Sequence, residues 1–156
     1  MKGEPLIILL IEDNPAHAEM VIRNFEEQRI ANKIYHVLDG EAALNYLYHR
    51  GPFTALESSP RPHVILLDLR LPKISGLQIL QEIKQDEGLL SIPVVILTTS
   101  EAERDLAMAY ESHANSYLVK PVDFAKFSQL VNDLGLYWLA WNRQPWAESW
   151  VNSVKT

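Results

Sequence analysis

Polar side chains directly follow four of the five short apolar runs in this sequence. Glu12 and Asp13 follow the first run, Asp68 follows the third, Thr98 follows the fourth and Lys120 follows the fifth. If these runs are the strands of an open parallel sheet, their carboxyl ends meet at one edge, where such folds place their chemistry. The spacing therefore predicts three carboxylates, a hydroxyl and an ammonium group in one cluster.

The predicted cluster has the composition of a metal-assisted phosphoryl-transfer site. Neighbouring carboxylates repel one another unless a cation lies among them, and hard oxygen ligands suit Mg²⁺, which binds through one or two carboxylates. With that cation present, Lys120 and Thr98 could offset charge on phosphoryl oxygens while a carboxylate attacks phosphorus. Asp68 is the predicted nucleophile because it lies between Val64–Leu67 and Leu69–Pro72, where a strand end holds it rigidly.

Alternation of short apolar runs with amphipathic stretches indicates how these residues are positioned. The pattern predicts an α/β fold, a doubly wound five-stranded parallel sheet with crossover helices on both faces. Most runs are continuously apolar, as strands covered on both faces should be. The predicted strands are Leu6–Ile11, Lys33–Leu38, Val64–Leu67, Val94–Leu97 and Tyr117–Val119, and the predicted helices are Ala16–Glu27, Glu41–Tyr48, Leu77–Lys84, Glu101–Glu111 and Asp123–Trp141.

Composition limits the classes of function. A chain of 156 residues, 47% hydrophobic, can bury one core, so we expect one domain over residues 1–142 and a tail over 143–156, with Gly51–Pro62 as a surface loop. The formal charge of −6 lacks the basic excess that nucleic acids or anionic membranes attract. The absence of cysteine excludes disulfides and thiolate chemistry and fits a reducing compartment. The apolar run Leu6–Ile11 is too short for a signal or membrane segment, so a cytoplasmic protein is expected.

Four segments of the sequence resemble the receiver domain of two-component response regulators. They are Leu10–Asn14, Leu66–Pro72 with Gly76, Ile96–Thr98 and Tyr117–Pro121, each at a predicted strand end. One such motif is a weak signal, but four in this order form a strong one. The resemblance covers roughly residues 6 to 134. It implies a CheY-like, flavodoxin-like (βα)5 fold with strand order 2-1-3-4-5 and a C-terminal extension.

The resemblance implies a phosphoryl acceptor and a metal site. Asp68 would accept the phosphoryl group, and Asp13, Asp68 and the backbone carbonyl of Arg70 would bind Mg²⁺, with Glu12 completing the acidic pair. Arg70 and Thr99 differ from the smaller or uncharged residues common at these positions in the family. Both border the path by which water would reach the phosphorylated aspartate, so the lifetime of that state stays open.

The remaining motif residues resemble the family's switching elements. Thr98 resembles the switch hydroxyl, Tyr117 the rotameric aromatic and Lys120 the phosphate-contacting lysine, with a cis peptide expected before Pro121. For Tyr117, a purely structural role as a half-buried aromatic is an equally good interpretation. The five histidines show no zinc-type spacing, and we assign them no role.

These residues imply a signalling module and not an enzyme. A sensor histidine kinase would phosphorylate Asp68, and the surface formed by the predicted fourth and fifth helices and the fifth strand would change its partner preference. No DNA-binding output segment follows in this sequence, so we expect output through protein contact or phosphotransfer. A phosphatase that resembles the haloacid dehalogenases would need an acidic residue where Arg70 stands. A flavodoxin-like nucleotide site is also disfavoured, because the loop Glu12–Pro15 would repel the phosphate of the nucleotide.

The C-terminal residues indicate a protein interface. All four tryptophans lie at or after residue 138, and Trp146 and Trp150 follow Pro145, beyond the end of the predicted last helix. Aromatic residues that a compact domain cannot cover often mark partner surfaces. We therefore predict a homodimer built on the fourth and fifth helices, the fifth strand and these aromatics. The extension also resembles that of single-domain regulators paired with bacterial phytochromes, which implies a kinase of that kind.

Overall fold

The computed structural model describes residues 5–27, 32–55, 59–99, 116–120 and 123–133. These residues form five strands and four helices, of which the fourth, Phe124–Asp133, is called the C-terminal helix. The strands are β1 (Leu6–Ile11), β2 (Asn32–Val37), β3 (Val64–Asp68), β4 (Val94–Thr98) and β5 (Ser116–Val119). The helices are α1 (Pro15–Glu26), α2 (Gly40–Leu47), α3 (Gly76–Gln85) and the C-terminal helix (Phe124–Asp133), with a short 3-10 turn at Gly51–Phe53.

All five strands are parallel and lie in the order β2-β1-β3-β4-β5. The predicted fold class and strand order are therefore confirmed. β3 and β4 each extend one residue beyond the prediction, because the backbone of Asp68 pairs with Leu97 and that of Thr98 pairs with Val119. The polar residues that were expected to follow these strands are thus their last members.

Capping residues decide where the first three helices begin. Asn14 caps α1 by accepting hydrogen bonds from the backbone amides of Ala16 and His17, at 2.9 and 3.1 Å. Asp39 caps α2, and Ser75 forms a capping box at the start of α3. Since a cap satisfies the free amides of the first turn, each helix starts one residue earlier than its hydrophobic pattern predicted. The predicted fourth helix, Glu101–Glu111, lies outside the described residues.

Alternate strand residues build a separate apolar core on each face of the sheet. In β1, Leu9 and Ile11 pack with residues of α2 and α3, while Leu6, Ile8 and Leu10 pack with α1 and the C-terminal helix. Nearly every core residue is more than nine-tenths buried, so the helices hold the central strands in fixed positions. The polar residues at the ends of those strands are therefore also held in fixed positions.

The predicted surface loop Gly51–Pro62 is anchored more firmly than its polar composition indicated. Ser59 is fully buried, and its hydroxyl lies 3.0 Å from the carbonyl oxygen of Phe53 and 2.9 Å from that of Ala55. The Tyr46 hydroxyl donates to the Pro60 carbonyl at 2.7 Å. The buried Ser59 and Tyr46 hydroxyls thus find partners within the chain, as burial requires. Within the described residues, no helix is long and apolar enough to cross a membrane.

Candidate functional site

Three carboxylates meet at the carboxyl end of the sheet, as the strand pattern predicted. Glu12 and Asp13 follow β1, Asp68 ends the adjacent β3, and one oxygen of each lies within 4.8 Å of the others. Glu12 and Asp68 are only 1% and 3% exposed, whereas Asp13 is exposed to solvent. Two buried carboxylates so close together require positive charge nearby.

Lys120 supplies part of that positive charge. Its ammonium nitrogen lies 2.7 Å from Oε1 of Glu12 and 3.1 Å from Oδ2 of Asp68. The residue follows β5 directly, and its amide donates to the Thr98 carbonyl at 2.7 Å, which ties it to the end of β4. Burial alone would lower the pKa of Lys120, but the two carboxylates outweigh burial and raise it. The ammonium group is therefore charged at neutral pH.

The Asp68 carboxyl is held at both oxygens. Oδ1 accepts a hydrogen bond from the Arg70 amide at 3.0 Å, and Oδ2 accepts one from Lys120. Burial raises the pKa of Asp68 to about 6 and the neighbouring Glu12 adds to the rise, while the Arg70 amide and Lys120 oppose it. A single ammonium group thus does not fully compensate the carboxylates, and an additional cation would favour the ionised form that a nucleophile needs.

The donor set fits a hard divalent cation. Glu12, Asp13 and Asp68 offer carboxylate oxygens, and the exposed Asp13 leaves room for the waters that Mg²⁺ retains. The Arg70 backbone lies beside the site, since its amide binds Asp68. With such an ion bound, the cluster would stabilise the negative charge on phosphoryl oxygens. The predicted use of the Arg70 carbonyl as a ligand stays a prediction.

Thr98 is the last residue of β4, and Tyr117 lies near the start of β5, two residues before its end. Thr98 is fully buried at the end of β4, and its hydroxyl donates to the Leu118 carbonyl at 3.5 Å. A hydrogen bond of that length is weak, so the hydroxyl can exchange it for a better acceptor at little cost. Tyr117 is half-buried and packs against the core on the α2 and α3 face. Their switching roles stay predictions, and Pro121 lies outside the described residues.

Two histidines contact the site, which the sequence analysis did not anticipate. Nδ1 of His17 lies 3.5 Å from the Lys120 ammonium nitrogen and 3.9 Å from Oε1 of Glu12. Nε2 of His36 lies 2.7 Å from the backbone carbonyl oxygen of Glu12, which fixes the loop that carries the acidic pair. The position of His17 in the first turn of α1, directly after the acidic loop, was the available signal.

A cavity of about 520 Å³ opens beside the ammonium group. It leads from solvent toward Lys120 between α1 and the ends of the strands. Its described lining combines charged, polar and apolar side chains: Glu12, His17, Met20, Val21, Asn24, Leu97, Thr99 and Lys120. A small phosphorylated molecule or a side chain of a partner could approach the cluster by this route.

Gly76 packs directly against the acceptor strand, and alanine should not be tolerated there. An added Cβ would lie 2.5 Å from the Asp68 carbonyl oxygen and 2.9 Å from Cα of Leu69, and neither backbone atom can move aside easily. We expect Gly76→Ala to reduce the free energy of unfolding by about 2–3 kcal/mol, as overpacking does. Urea denaturation would measure this loss.

The matched control for that substitution is Gly88→Ala. An added Cβ at this exposed turn would meet only the side-chain Oδ1 of Asp86, at 3.2 Å. That carboxylate can adjust, so the expected change is under about 0.5 kcal/mol. Equal losses in the two variants would show that contact with the acceptor strand is not what excludes a side chain at Gly76.

Comparison with known proteins shows extensive similarity to one family. The family model described as the response regulator receiver domain matches residues 8–132. The probable methanogenesis regulatory protein FilR2 of Methanothrix harundinacea is 48% identical over 143 residues, which are 91% of this chain and 89% of that protein. The response regulator Rcp1 of a Synechocystis species is 41% identical over 135 residues, covering 86% of this chain and 90% of the relative.

Solved structures agree with these sequence matches. The bacteriophytochrome response regulator RtBRR superposes with a TM-score of 0.78 at 41% identity, covering 92% of this chain and 86% of that chain. The Mn²⁺-bound form of Rcp1 superposes with a TM-score of 0.66 at 41% identity, covering 86% of this chain and 95% of the other. Given the matched residues, the parallel sheet and the acidic cluster at its edge, this chain belongs to the response regulator receiver domain family of two-component signalling.

Proposed function

We propose that Asp68 is the residue on which this receiver accepts a phosphoryl group from a sensor histidine kinase. The observation that carries the proposal is the ammonium group of Lys120, which lies within 3.1 Å of both Glu12 and Asp68 carboxylates at the mouth of a cavity. Receiver domains are phosphorylated on an aspartate. In this chain, Asp68 is a strand-end carboxylate paired with a fixed cation.

The proposed reaction is a transfer between two side chains. A carboxylate oxygen of Asp68 forms a bond to phosphorus, the phosphorus–nitrogen bond of the kinase phosphohistidine breaks, and the leaving imidazole keeps that electron pair. Lys120 offsets charge on the phosphoryl oxygens, and the Arg70 amide holds Oδ1 of Asp68 in place. Mg²⁺ bound by Asp13, Asp68 and the Arg70 carbonyl would supply further electrostatic stabilisation.

Thr98 and Tyr117 are the proposed relay of the phosphorylated state. Within the described residues, the Thr98 hydroxyl bonds the Leu118 carbonyl at 3.5 Å, so a phosphoryl oxygen would be a stronger acceptor for it. Movement of Thr98 would leave space that the half-buried Tyr117 could enter. The proposed output is a change in the surface around β5 and the C-terminal helix, read by a protein partner.

The first donor to test is a phytochrome-type histidine kinase. The names of RtBRR, AtBRR and RcpA identify them as phytochrome response regulators, with 41%, 42% and 35% identity to this chain. FilR2 is named for methanogenesis and is more similar in sequence, at 48%. The proposal therefore assigns the donor by its phosphohistidine chemistry, with a light-regulated kinase as the preferred source.

Reductive trapping tests the acceptor directly. The chain is incubated with acetyl phosphate and Mg²⁺, and borohydride then converts an aspartyl phosphate into homoserine, which peptide mass spectrometry locates. The proposal expects one homoserine, at position 68. Homoserine at position 13, or a phosphoryl group stable to borohydride, would remove Asp68 as the acceptor.

We also propose that the C-terminal residues 143–156 form a tail that contributes to a homodimer. Support comes from the sequence, which places Trp146 and Trp150 after Pro145, and this part of the chain lies outside the described residues. Sedimentation velocity of the full chain and of a form ending at Asn142 would test the proposal. We expect the shorter form to dissociate at concentrations where the full chain is dimeric, and an unchanged dimer would exclude the tail from the interface.

A further inference from the structure

The contact between His17 and Lys120 is not explained by a role in folding alone. His17 lies in the first turn of α1, and its side chain is 46% exposed. Nevertheless, Nδ1 reaches to 3.5 Å from the Lys120 ammonium nitrogen across 103 residues of sequence. The imidazole therefore forms the outer side of the cluster, where the cavity begins.

The chemistry of the partners determines the tautomer of His17. An ammonium group can only donate, so Nδ1 must carry no proton if it binds Lys120. A protonated Nδ1 could instead donate to Oε1 of Glu12, but the separation of 3.9 Å is too long for a hydrogen bond. The shorter contact favours the tautomer in which Nδ1 accepts from Lys120 and Nε2 carries the proton.

Three side chains contact the ammonium group, which carries three donors. Asp68 accepts a hydrogen bond at 3.1 Å, Oε1 of Glu12 forms an ion pair with the nitrogen at 2.7 Å, and Nδ1 of His17 lies 3.5 Å from it. A phosphoryl oxygen that approaches Lys120 must displace one of these partners. Displacing a carboxylate would leave a buried charge unpaired, which costs several kcal/mol. Displacing His17 leaves both carboxylates paired and returns a half-exposed neutral ring to water.

We propose that His17 is a positioning residue that holds one donor of Lys120 on the cavity side and yields it to the incoming phosphoryl group. The inference rests on the proposed function of Asp68 as the acceptor. His17 keeps the ammonium group from turning fully toward the two carboxylates, so one donor faces the cavity before the reaction begins. Because this donor is already oriented, the site needs little reorganisation when the phosphoryl group is transferred.

Removal of the His17 imidazole should slow phosphorylation of Asp68. We expect His17→Leu to reduce the initial rate of aspartyl phosphate formation from phosphoramidate, with Mg²⁺ present, by roughly three- to tenfold, the range for one ordinary hydrogen bond, because a 3.5 Å contact is longer than most bonds to charged groups. His17→Asn places an amide oxygen close to the position of Nδ1 and should stay within about twofold of the wild type. Glu19→Gln, a change on the same helix outside the cavity lining, is the matched control and should have no effect.

A double-mutant cycle separates positioning from a general effect on the fold. In a Lys120→Ala background, His17→Leu should cause no further loss, because the partner through which it acts is absent. Thermal unfolding of each variant shows whether it is folded at the temperature at which its rate is measured. An equal loss in both backgrounds, or a His17→Leu rate equal to the wild type, would overturn the positioning role while Asp68 is still labelled. If wild-type Asp68 gains no phosphoryl group, the proposed function itself fails and this inference fails with it.

Discussion

An Asp68→Asn variant is expected to gain no phosphoryl group under conditions that fully label the wild-type chain. The amide is nearly the same size as the carboxylate, and its oxygen can still accept the 3.0 Å hydrogen bond from the Arg70 amide. The amide lacks the negative charge and the basicity that attack on phosphorus requires. We expect the rate to fall by more than about a thousandfold, equivalent to ~4 kcal/mol of barrier. Intact-mass spectrometry with acetyl phosphate and Mg²⁺ measures the result.

Neighbouring carboxylates should not substitute for Asp68. Glu12 is buried and bound to Lys120, while Asp13 is exposed and follows the end of β1. Glu19→Gln is the matched control, because it makes the same chemical change on α1, where Glu19 pairs with Arg23 at 3.4 Å. The control should be labelled like the wild type. Full labelling of Asp68→Asn would place the acceptor elsewhere.

Withdrawal of divalent cations should have the second largest effect. Three carboxylates share a cluster with one ammonium group, so the approach of an anionic phosphoryl group is opposed unless another cation is present. Metal ions contribute several kcal/mol to such reactions, and we expect excess chelator to slow labelling by at least about a hundredfold. Restoring Mg²⁺ should restore the rate. The same mass assay, with and without chelator, measures both steps.

A stability measurement tests the metal site without any phosphodonor. An ion that binds only the folded chain at a hundred times its dissociation constant stabilises it by about 2.7 kcal/mol, so Mg²⁺ should raise the urea midpoint. Asp13→Asn should abolish most of that increase, since the exposed carboxylate is a proposed ligand. Glu41→Gln, on the exposed side of α2, is the control and should retain it. If Mg²⁺ leaves the urea midpoint of the wild type unchanged, the proposed metal site in this cluster is wrong.

The strand pattern predicted the main features of the site because the fold converts order in sequence into position in space. Glu12, Asp68 and Lys120 are far apart along the chain, yet each follows or ends an apolar run. Parallel pairing of those runs brings their carboxyl ends together, which places the three side chains close enough for the contacts of 2.7 and 3.1 Å. The prediction required only the direction of the strands and their order.

Features that depend on side-chain orientation were not predictable in this way. His17 reaches Lys120 because Asn14 caps α1 and so determines how its first turn faces the sheet. Ser59 is buried because carbonyls from its own loop surround its hydroxyl, a result of the loop path and not of its composition. The Thr98 hydroxyl binds the Leu118 carbonyl, which a strand assignment leaves undetermined. These details require coordinates.

The long-range contacts of Lys120 also influence the order in which the chain can fold. Lys120 contacts Asp68 across 52 residues and His17 across 103, so their association depends on loop closures that are costly in chain entropy. During synthesis, β1 and β3 emerge before β5, and their buried carboxylates then lack the ammonium group that compensates them. Repulsion between Glu12 and Asp68 consequently opposes premature closure of the sheet edge. Arrival of the β5 segment removes that repulsion and makes completion of the domain cooperative.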